Sequence, residues 1–271
     1  MRLVLFALLL LAAAAASPAR AQNEERVDLE LVLAVDISLS MDAGEREFQR
    51  NGYIEALNSP EVLAAILEGG WGRIAITYME WAGEGFQTVV APWRLIDSEQ
   101  AMRAFTDTIA AAPSRAYHRT SISGALSYSA SLFDGNGFAG LRRVIDVSGD
   151  GPNNQGEPVT LARDRLVDQG IIINGLPVMI NQPGYGFFDI ADLDRYYENC
   201  VIGGTQSFIM PATAWEGFAL AVRRKLILEI ALAPDAPRLV PAQASAMTDD
   251  GIDCMIGEKM WNSRRWMFDD P

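Results

Sequence analysis

The sequence predicts an α/β protein in which helices pack on a mostly parallel central sheet. Strand-like and helix-like segments alternate over residues 27–231, which is typical of this layer architecture. Several of the strand segments are continuous apolar runs, as expected for strands that are buried on both faces. The chain has 271 residues, of which 49% are hydrophobic and 21% are charged, so it can bury a sizeable core.

The individual elements follow from the hydrophobic pattern in chain order. In the first strand, apolar and polar residues alternate at the start and a continuous apolar run follows. The second and third strands are joined by a Gly-Glu-Gly turn at 83–85, which predicts an antiparallel pair. Ser98 is expected to cap one helix, and Pro158 and Gly170 are expected to begin and end another. The predicted strands are 27–36, 73–81, 87–93, 141–147, 171–178 and 207–210, and the predicted helices are 45–57, 98–111, 121–133, 158–169, 189–198 and 215–230.

The N-terminus has the pattern of an export signal. Arg2 precedes 14 apolar residues at 3–16, and Ala-Arg-Ala at 19–21 fits a small-residue cleavage site. The run is shorter than the about 20 residues of a membrane span, and no second stretch of that length follows. We therefore expect residues 1–21 to be a signal peptide and the protein to be periplasmic or secreted, without a transmembrane segment. An uncleaved anchor is the alternative.

The remainder of the chain divides into one domain and a tail. Prolines at 234, 237 and 241 mark the end of the domain, which gives an expected domain at 27–233 and a C-terminal tail at 234–271. In an oxidising compartment Cys200 and Cys254 would most simply form one disulfide, although two separate buried thiols are the alternative. Large apolar side chains in the tail are expected to pack on the domain or, alternatively, to dock a partner. These side chains are Trp261, Trp266, Met267 and Phe268.

The net charge of −13 is spread along the chain rather than gathered in one segment. Nucleic-acid binding requires a basic patch, so the charge argues against a nucleic-acid partner. The longest basic cluster, Arg-Arg-Lys at 223–225, lies within a predicted helix. We interpret it as a solvated helix face.

Polar side chains follow the buried strands at positions that suit a metal ion, because ligands of open α/β sheets bind at the carboxyl ends of strands. Asp36, Ser38 and Ser40 follow the first strand, Asp150 follows the strand at 141–147, and Thr120 precedes a helix. Carboxylate and hydroxyl oxygens suit Mg²⁺, with Mn²⁺ and Ca²⁺ as alternatives, and they disfavour Zn²⁺. The purely structural alternative is that these residues serve as turn and helix-cap residues.

These motifs, in this order, resemble the metal-ion-dependent adhesion site (MIDAS) of von Willebrand factor type A (VWA) domains. The resemblance covers about residues 27–231. It implies a Rossmann-like sheet flanked by helices on both faces, with a divalent cation at the carboxyl edge of the sheet. It implies that Ser38 and Ser40 bind the ion directly, and that Thr120 does so in a high-affinity state. It implies that Asp36 and Asp150 act mainly through water, and that a carboxylate of a partner protein completes the shell.

The stretch V-I-D-V-S-G-D-G-P-N-N-Q-G at 144–156, together with the export signal and the two late cysteines, resembles a family of exported bacterial proteins of this fold. The function of that family is undefined. Many relatives have Thr at the position of Gly149, and the absence of that side chain is expected to loosen the surroundings of the ion without removing a ligand.

We expect a binding module that uses a bound cation to recruit a protein ligand presenting an acidic residue. One alternative is a metal-dependent hydrolase, for which Asp150, Glu80 and His118 are the candidate bases. The other alternative is an exported scaffold with a vestigial ion site. We find no catalytic motif: the G-x-G-x-x-G at 135–140 follows a helix and precedes a strand, the reverse of a dinucleotide-binding fingerprint.

Overall fold

The computed structural model describes residues 24–180, 190–232 and 251–264, and a mixed sheet lies at the centre of this part of the chain. The strands are β1 (Glu25–Val27), β2 (Glu30–Asp36), β3 (Ile74–Trp81), β4 (Gln87–Ile96), β5 (Phe138–Gly140), β6 (Arg143–Gly149) and β7 (Ile171–Pro177). The α-helices are α1 (Ala43–Leu57), α2 (Pro60–Leu67), α3 (Glu99–Ala110), α4 (Ile122–Ser131), α5 (Val159–Asp168), α6 (Leu193–Tyr196), α7 (Phe218–Ala231) and α8 (Ile256–Arg264).

The strand order of the central sheet is β4-β3-β2-β6-β7. Strand β2 pairs in parallel with β3 and β6, and β6 pairs in parallel with β7. Strand β4 lies antiparallel to β3 at one edge, as the Gly-Glu-Gly turn predicted. The predicted fold class is therefore confirmed.

The helices cover both faces of this sheet. One apolar core lies between the sheet and helices α1, α2, α3 and α7, and a second lies between the sheet and α4, α5 and α6. All seven residues of β2 are buried, which explains its continuous apolar run. Because β2 and β6 are parallel neighbours, Asp36 at the end of β2 and Asp150 just after β6 reach the same edge.

Some predicted elements differ from the structure. The first predicted strand is divided into β1 and β2, because β1 pairs with β5 in a separate two-stranded sheet while β2 lies in the central sheet. Between them, the Asp28 carboxylate accepts a hydrogen bond from the Trp71 N–H at 2.9 Å. Helix α2 was not predicted, although Ser59 caps it and a proline begins it. The predicted strand at 207–210 is reduced to an isolated bridge between Ile209 and Gly175. The helix predicted at 189–198 begins at Leu193 and continues as a π-helical turn, Tyr197–Val201, while residue 189 lies outside the described residues.

The interpretation of the basic cluster is wrong for Lys225. Its side chain is fully buried, and its Nζ lies 2.7 Å from Oδ1 of Asp146 on β6. It also forms an ion pair with Glu229, one turn further along α7. We call Asp146, Lys225 and Glu229 the core ion cluster. Of the two arginines, Arg224 is exposed as predicted and Arg223 is partly exposed.

Several predictions fall on residues that the structure does not describe. The signal peptide at 1–21 lies outside the described residues, as do most of the tail and its residues Trp266, Met267 and Phe268. Among the described helices, none has both the length and the apolar character needed to cross a membrane.

Candidate metal centre

The loop after β2 and the loop after β6 meet through a chain of hydroxyl contacts. The Ser38 backbone N–H donates to Oδ1 of Asp36 at 2.7 Å, which folds the loop back onto the end of β2. The hydroxyls of Ser38 and Ser40 lie 2.8 Å apart. The Ser40 hydroxyl then donates to Oδ1 of Asp150 at 2.7 Å. Four of the five predicted ligands are thus connected by short contacts.

The Asp36 carboxylate is fully buried, and its Oδ2 has no hydrogen-bond partner among the described residues. Burial raises the pKa of Asp36 well above its usual range, and the nearby charge of Asp150 raises it further. Hydrogen bonds from Ser38 oppose this rise. A buried carboxylate oxygen without a donor, beside a second carboxylate, favours the binding of a cation.

Thr120 is held at the same edge by its backbone. Its N–H donates to Oδ1 of Asn154 at 3.0 Å, and its carbonyl accepts a hydrogen bond from the Asn154 N–H at 2.8 Å. Three residues earlier, Tyr117 bridges to Ser38, with the Leu39 N–H donating to the Tyr117 carbonyl at 3.0 Å. These contacts hold the Thr120 segment between the loops that carry Ser38 and Asp150.

Tyr197 is a buried neighbour of the site that the sequence analysis missed. A Cβ atom at Gly149 would lie 2.8 Å from the Tyr197 hydroxyl and 3.0 Å from Oδ2 of Asp36. The space expected to be loose at Gly149 is therefore closed by a side chain from a distant segment. The Tyr197 hydroxyl is buried and has no hydrogen-bond partner among the described residues. Burial, reinforced by the charge of Asp36, raises the pKa of Tyr197 well above its usual range.

Two candidate bases from the sequence have other surroundings. Glu80 is buried and forms an ion pair with Arg50 at 2.5 Å, so its charge is compensated inside the fold. His118 is exposed, and its backbone carbonyl faces Gly83. Among the described residues, neither Glu80 nor His118 hydrogen-bonds to the chain of contacts that joins Asp36 to Asp150.

The C-terminal helix lies beside the site. Cys200 and Cys254 form a disulfide with a Cα–Cα distance of 5.5 Å, which anchors α8 to the domain. Oε1 of Glu258 accepts a hydrogen bond from the Asn153 side chain at 2.7 Å, in the loop that follows Asp150. Trp261 packs against the guanidinium of Arg119, the residue before Thr120.

The donor set fits a hard divalent cation. Two carboxylates and two serine hydroxyls are connected at this edge, and the backbone of Thr120 is held next to the loop that carries Asp150. Carboxylate and hydroxyl oxygens are the ligands that Mg²⁺, Mn²⁺ and Ca²⁺ prefer. Within the described ranges, no group of three or more His, Cys, Asp and Glu side chains could hold a metal ion. A metal ion at this edge would therefore depend on the hydroxyl groups.

Comparison with protein families gives a match over most of the chain. Residues 26–234 match a family described as "Protein of unknown function (DUF1194)". The chain belongs to the DUF1194 family. No curated protein matches the chain at a significant level.

Solved structures with a similar fold include several VWA proteins. Proximal thread matrix protein 1 from the mussel byssus aligns with a TM-score of 0.53 and 14% identity, over 77% of this chain and 48% of that chain. The pilus adhesin SpaC from Lactobacillus rhamnosus GG aligns with a TM-score of 0.53 and 12% identity, over 77% of this chain and 31% of that chain. A von Willebrand factor type A protein from Catenulispora acidiphila aligns with a TM-score of 0.52 and 13% identity, over 75% of this chain and 43% of that chain.

This DUF1194 chain therefore has the VWA fold, and it spans about half or less of the length of these structures. At such low identity the likeness concerns the fold. One crystal structure of the mussel protein, with a TM-score of 0.52 and 13% identity, is described as having a zinc-occupied MIDAS motif.

Proposed function

We propose that this DUF1194 protein is an exported binding module that recruits a carboxylate-bearing protein partner through a divalent cation. Ser38, Ser40 and Thr120 would bind the ion through their hydroxyls, and Asp36 and Asp150 would act mainly through water. Mg²⁺ is the first choice of ion, with Mn²⁺ and Ca²⁺ as alternatives. The proposal rests on one observation above all, the buried Asp36 oxygen that has no donor and lies beside a hydroxyl-linked second carboxylate.

The donor set explains why the partner would be acidic. Neutral hydroxyl ligands remove little of a cation's positive charge, so the bound ion would continue to attract an anionic oxygen. The net charge of −13 does not attract an acidic partner over a distance, so recognition would have to be local to the ion. A carboxylate from a partner would then complete the shell of ligands.

Proteins of the same fold support the proposal of a cation-binding adhesion module. One neighbour is named as a pilus adhesin and another has a zinc-occupied MIDAS motif, which associates this fold with adhesion and with cation binding in those proteins. Metal-dependent hydrolysis is less favoured here, because Glu80 is engaged by Arg50 and His118 is exposed, which leaves Asp150 as the candidate base within the site. Turnover of an ester or phosphoester that is lost with EDTA would reverse this preference.

Titration calorimetry with Mg²⁺, Mn²⁺ and Ca²⁺ tests the site. The wild-type protein is expected to bind at least one of these ions, and Asp36→Asn and Ser38→Ala are expected to lower that affinity by at least about tenfold. Asp134→Asn removes an exposed carboxylate away from the site and is the matched control. Equal affinity in the wild type and in both site variants would show that the ligands are assigned wrongly.

We propose export on the pattern at residues 1–21, with a mature domain at 27–233 and a tail at 234–271. The disulfide between Cys200 and Cys254 is consistent with an oxidising compartment. The mass of the protein recovered from the cell envelope checks this proposal, since cleavage near Ala21 would remove the first 21 residues.

A further inference from the structure

Helix α8 presses directly on the loop that follows Asp150. Gly257 is buried, and a Cβ atom placed on it would lie 2.0 Å from the Asn153 carbonyl oxygen. The helix backbone therefore reaches the loop backbone at a distance that only glycine permits. The neighbouring Glu258 adds a hydrogen bond from the Asn153 side chain at 2.7 Å.

Asn153 connects helix α8 to other segments around the site through hydrogen bonds. Its side chain is fully buried, and its Oδ1 accepts a hydrogen bond from the Ser123 N–H at 3.0 Å, in the first turn of α4. Its own N–H donates to the Tyr196 hydroxyl at 3.1 Å. The next residue, Asn154, holds both the N–H and the carbonyl of Thr120. The position of α8 is thus linked to a predicted metal ligand through two adjacent asparagines.

Helix α8 also contacts the residue that precedes Thr120. The central guanidinium carbon of Arg119 lies 3.1 Å from the centre of the Trp261 ring. Arg119 precedes Thr120 and has a φ of 76°, in the left-handed region that residues other than glycine seldom adopt. Contact with the ring, worth about 0.5–2 kcal/mol in general, helps to hold this unfavourable conformation.

Helix α8 depends on the disulfide between Cys200 and Cys254 to stay against the loop. It has nine residues, which is too short for stability on its own, and only Gly257 among them is buried. The disulfide at Cys254 precedes its first turn and fixes that end to Cys200. The contacts to Asn153 and Arg119 are therefore made by a segment that the disulfide holds in place.

We propose that α8 is a disulfide-anchored strap that positions Thr120 and the loop after Asp150, and that it thereby sets the cation affinity of the site. This inference rests on the proposed function. Gly257, Glu258 and Trp261 are positioning residues and not ligands. The proposal predicts that removal of the disulfide, by substitution of Cys200 and Cys254, releases the strap and weakens cation binding.

Gly257→Ala is the sharpest test, because its Cβ forces the helix away from Asn153 while leaving every ligand intact. Asn262→Ala is the matched control, since it adds the same helix-favouring residue at an exposed position of α8. Calorimetry measures the affinity for Mg²⁺, and hydrogen exchange measures the protection of residues 117–121 and 150–157. Far-ultraviolet circular dichroism checks that each variant is folded.

Gly257→Ala and the Cys200→Ser/Cys254→Ser double variant are each expected to weaken Mg²⁺ binding about tenfold and to increase exchange in both segments. Asn262→Ala is expected to match the wild type. The proposal that α8 positions the site is wrong if both test variants keep the Mg²⁺ affinity and the hydrogen exchange of the wild type. If the wild type binds no cation, the metal site and its regulation are both wrong, while the exchange data still decide whether α8 holds the loops.

Discussion

The core ion cluster and the candidate metal centre both bring a carboxylate at or beside β6 close to a second carboxylate. In the core, Asp146 and Glu229 share the buried ammonium of Lys225, which lies 2.7 Å from Asp146. At the sheet edge, Asp36 and Asp150 are connected by serine hydroxyls. The two acids of the core are therefore compensated by the positive charge of Lys225. The two acids at the sheet edge are contacted by neutral hydrogen-bond donors.

The two regions differ in how their buried carboxylates are compensated. A buried carboxylate is costly unless a positive charge or several donors accompany it. The positive charge of Lys225 lowers the pKa of Asp146 in part, whereas the pKa of Asp36 is lowered by hydrogen bonds from Ser38. A site with two acids, neighbouring hydroxyls and a buried carboxylate oxygen without a donor is suited to an external cation.

The largest expected effect comes from removing the internal cation. Lys225→Met leaves Asp146 and Glu229 buried without their shared partner, and is expected to lower the free energy of unfolding by about 3–5 kcal/mol. Urea denaturation measures the change. Arg224→Met, at the exposed neighbouring position, is expected to stay within about 0.5 kcal/mol of the wild type. Similar stability in the two variants would mean that Lys225 does not compensate the core acids.

Removal of a buried acid at the metal centre is expected to change the free energy of unfolding in the opposite direction. In EDTA, Asp36→Asn should raise the free energy of unfolding by about 1–2 kcal/mol, because it removes a buried charge and keeps the acceptor for the Ser38 N–H. Asp134→Asn is again the control. Thermal melts with and without Mg²⁺ complete the test, since the wild type should be stabilised by the ion and Asp36→Asn should not. A destabilised Asp36→Asn protein in EDTA would contradict the comparison.

The smallest expected effect is a pH dependence of the core. Burial, with the nearby charge of Glu229, raises the pKa of Asp146 to about 7, and Lys225 only partly opposes this. Because the folded pKa is above the unfolded value, the protonated form stabilises the fold, and stability falls as the pH rises through about 7. The loss between pH 6 and pH 8 is expected to be about 1 kcal/mol.

Asp146→Asn tests the origin of that slope. The variant keeps the pair between Lys225 and Glu229 and removes the titrating carboxyl, so its stability should change less between pH 6 and pH 8. Measurements in EDTA keep any bound metal ion out of the comparison. An unchanged slope would assign the pH dependence to another group.

Much of the fold and part of the site could be predicted because they depend on local patterns. Buried strands are mostly apolar, so β2, β3, β6 and β7 were predicted with end errors of three residues or fewer. Asp36 and Asp150 each directly follow or end a buried strand, and parallel neighbours bring such residues to one edge. Helix α2 was missed because it has only eight residues and its apolar positions do not form a long period.

By itself, the sequence determined the α/β layers and the polar residues at the carboxyl edge. It left open whether Cys200 and Cys254 pair, and the structure shows that they form a disulfide. Only the tertiary structure decided that Lys225 is inside, that Tyr197 fills the space beside Gly149, and that Asn153 connects α8 to the site. The physical reason is that periodicity records which residues avoid water along one element. The charge that compensates a buried acid, and the side chain that fills a gap, come from segments distant in the chain, and packing alone brings them together.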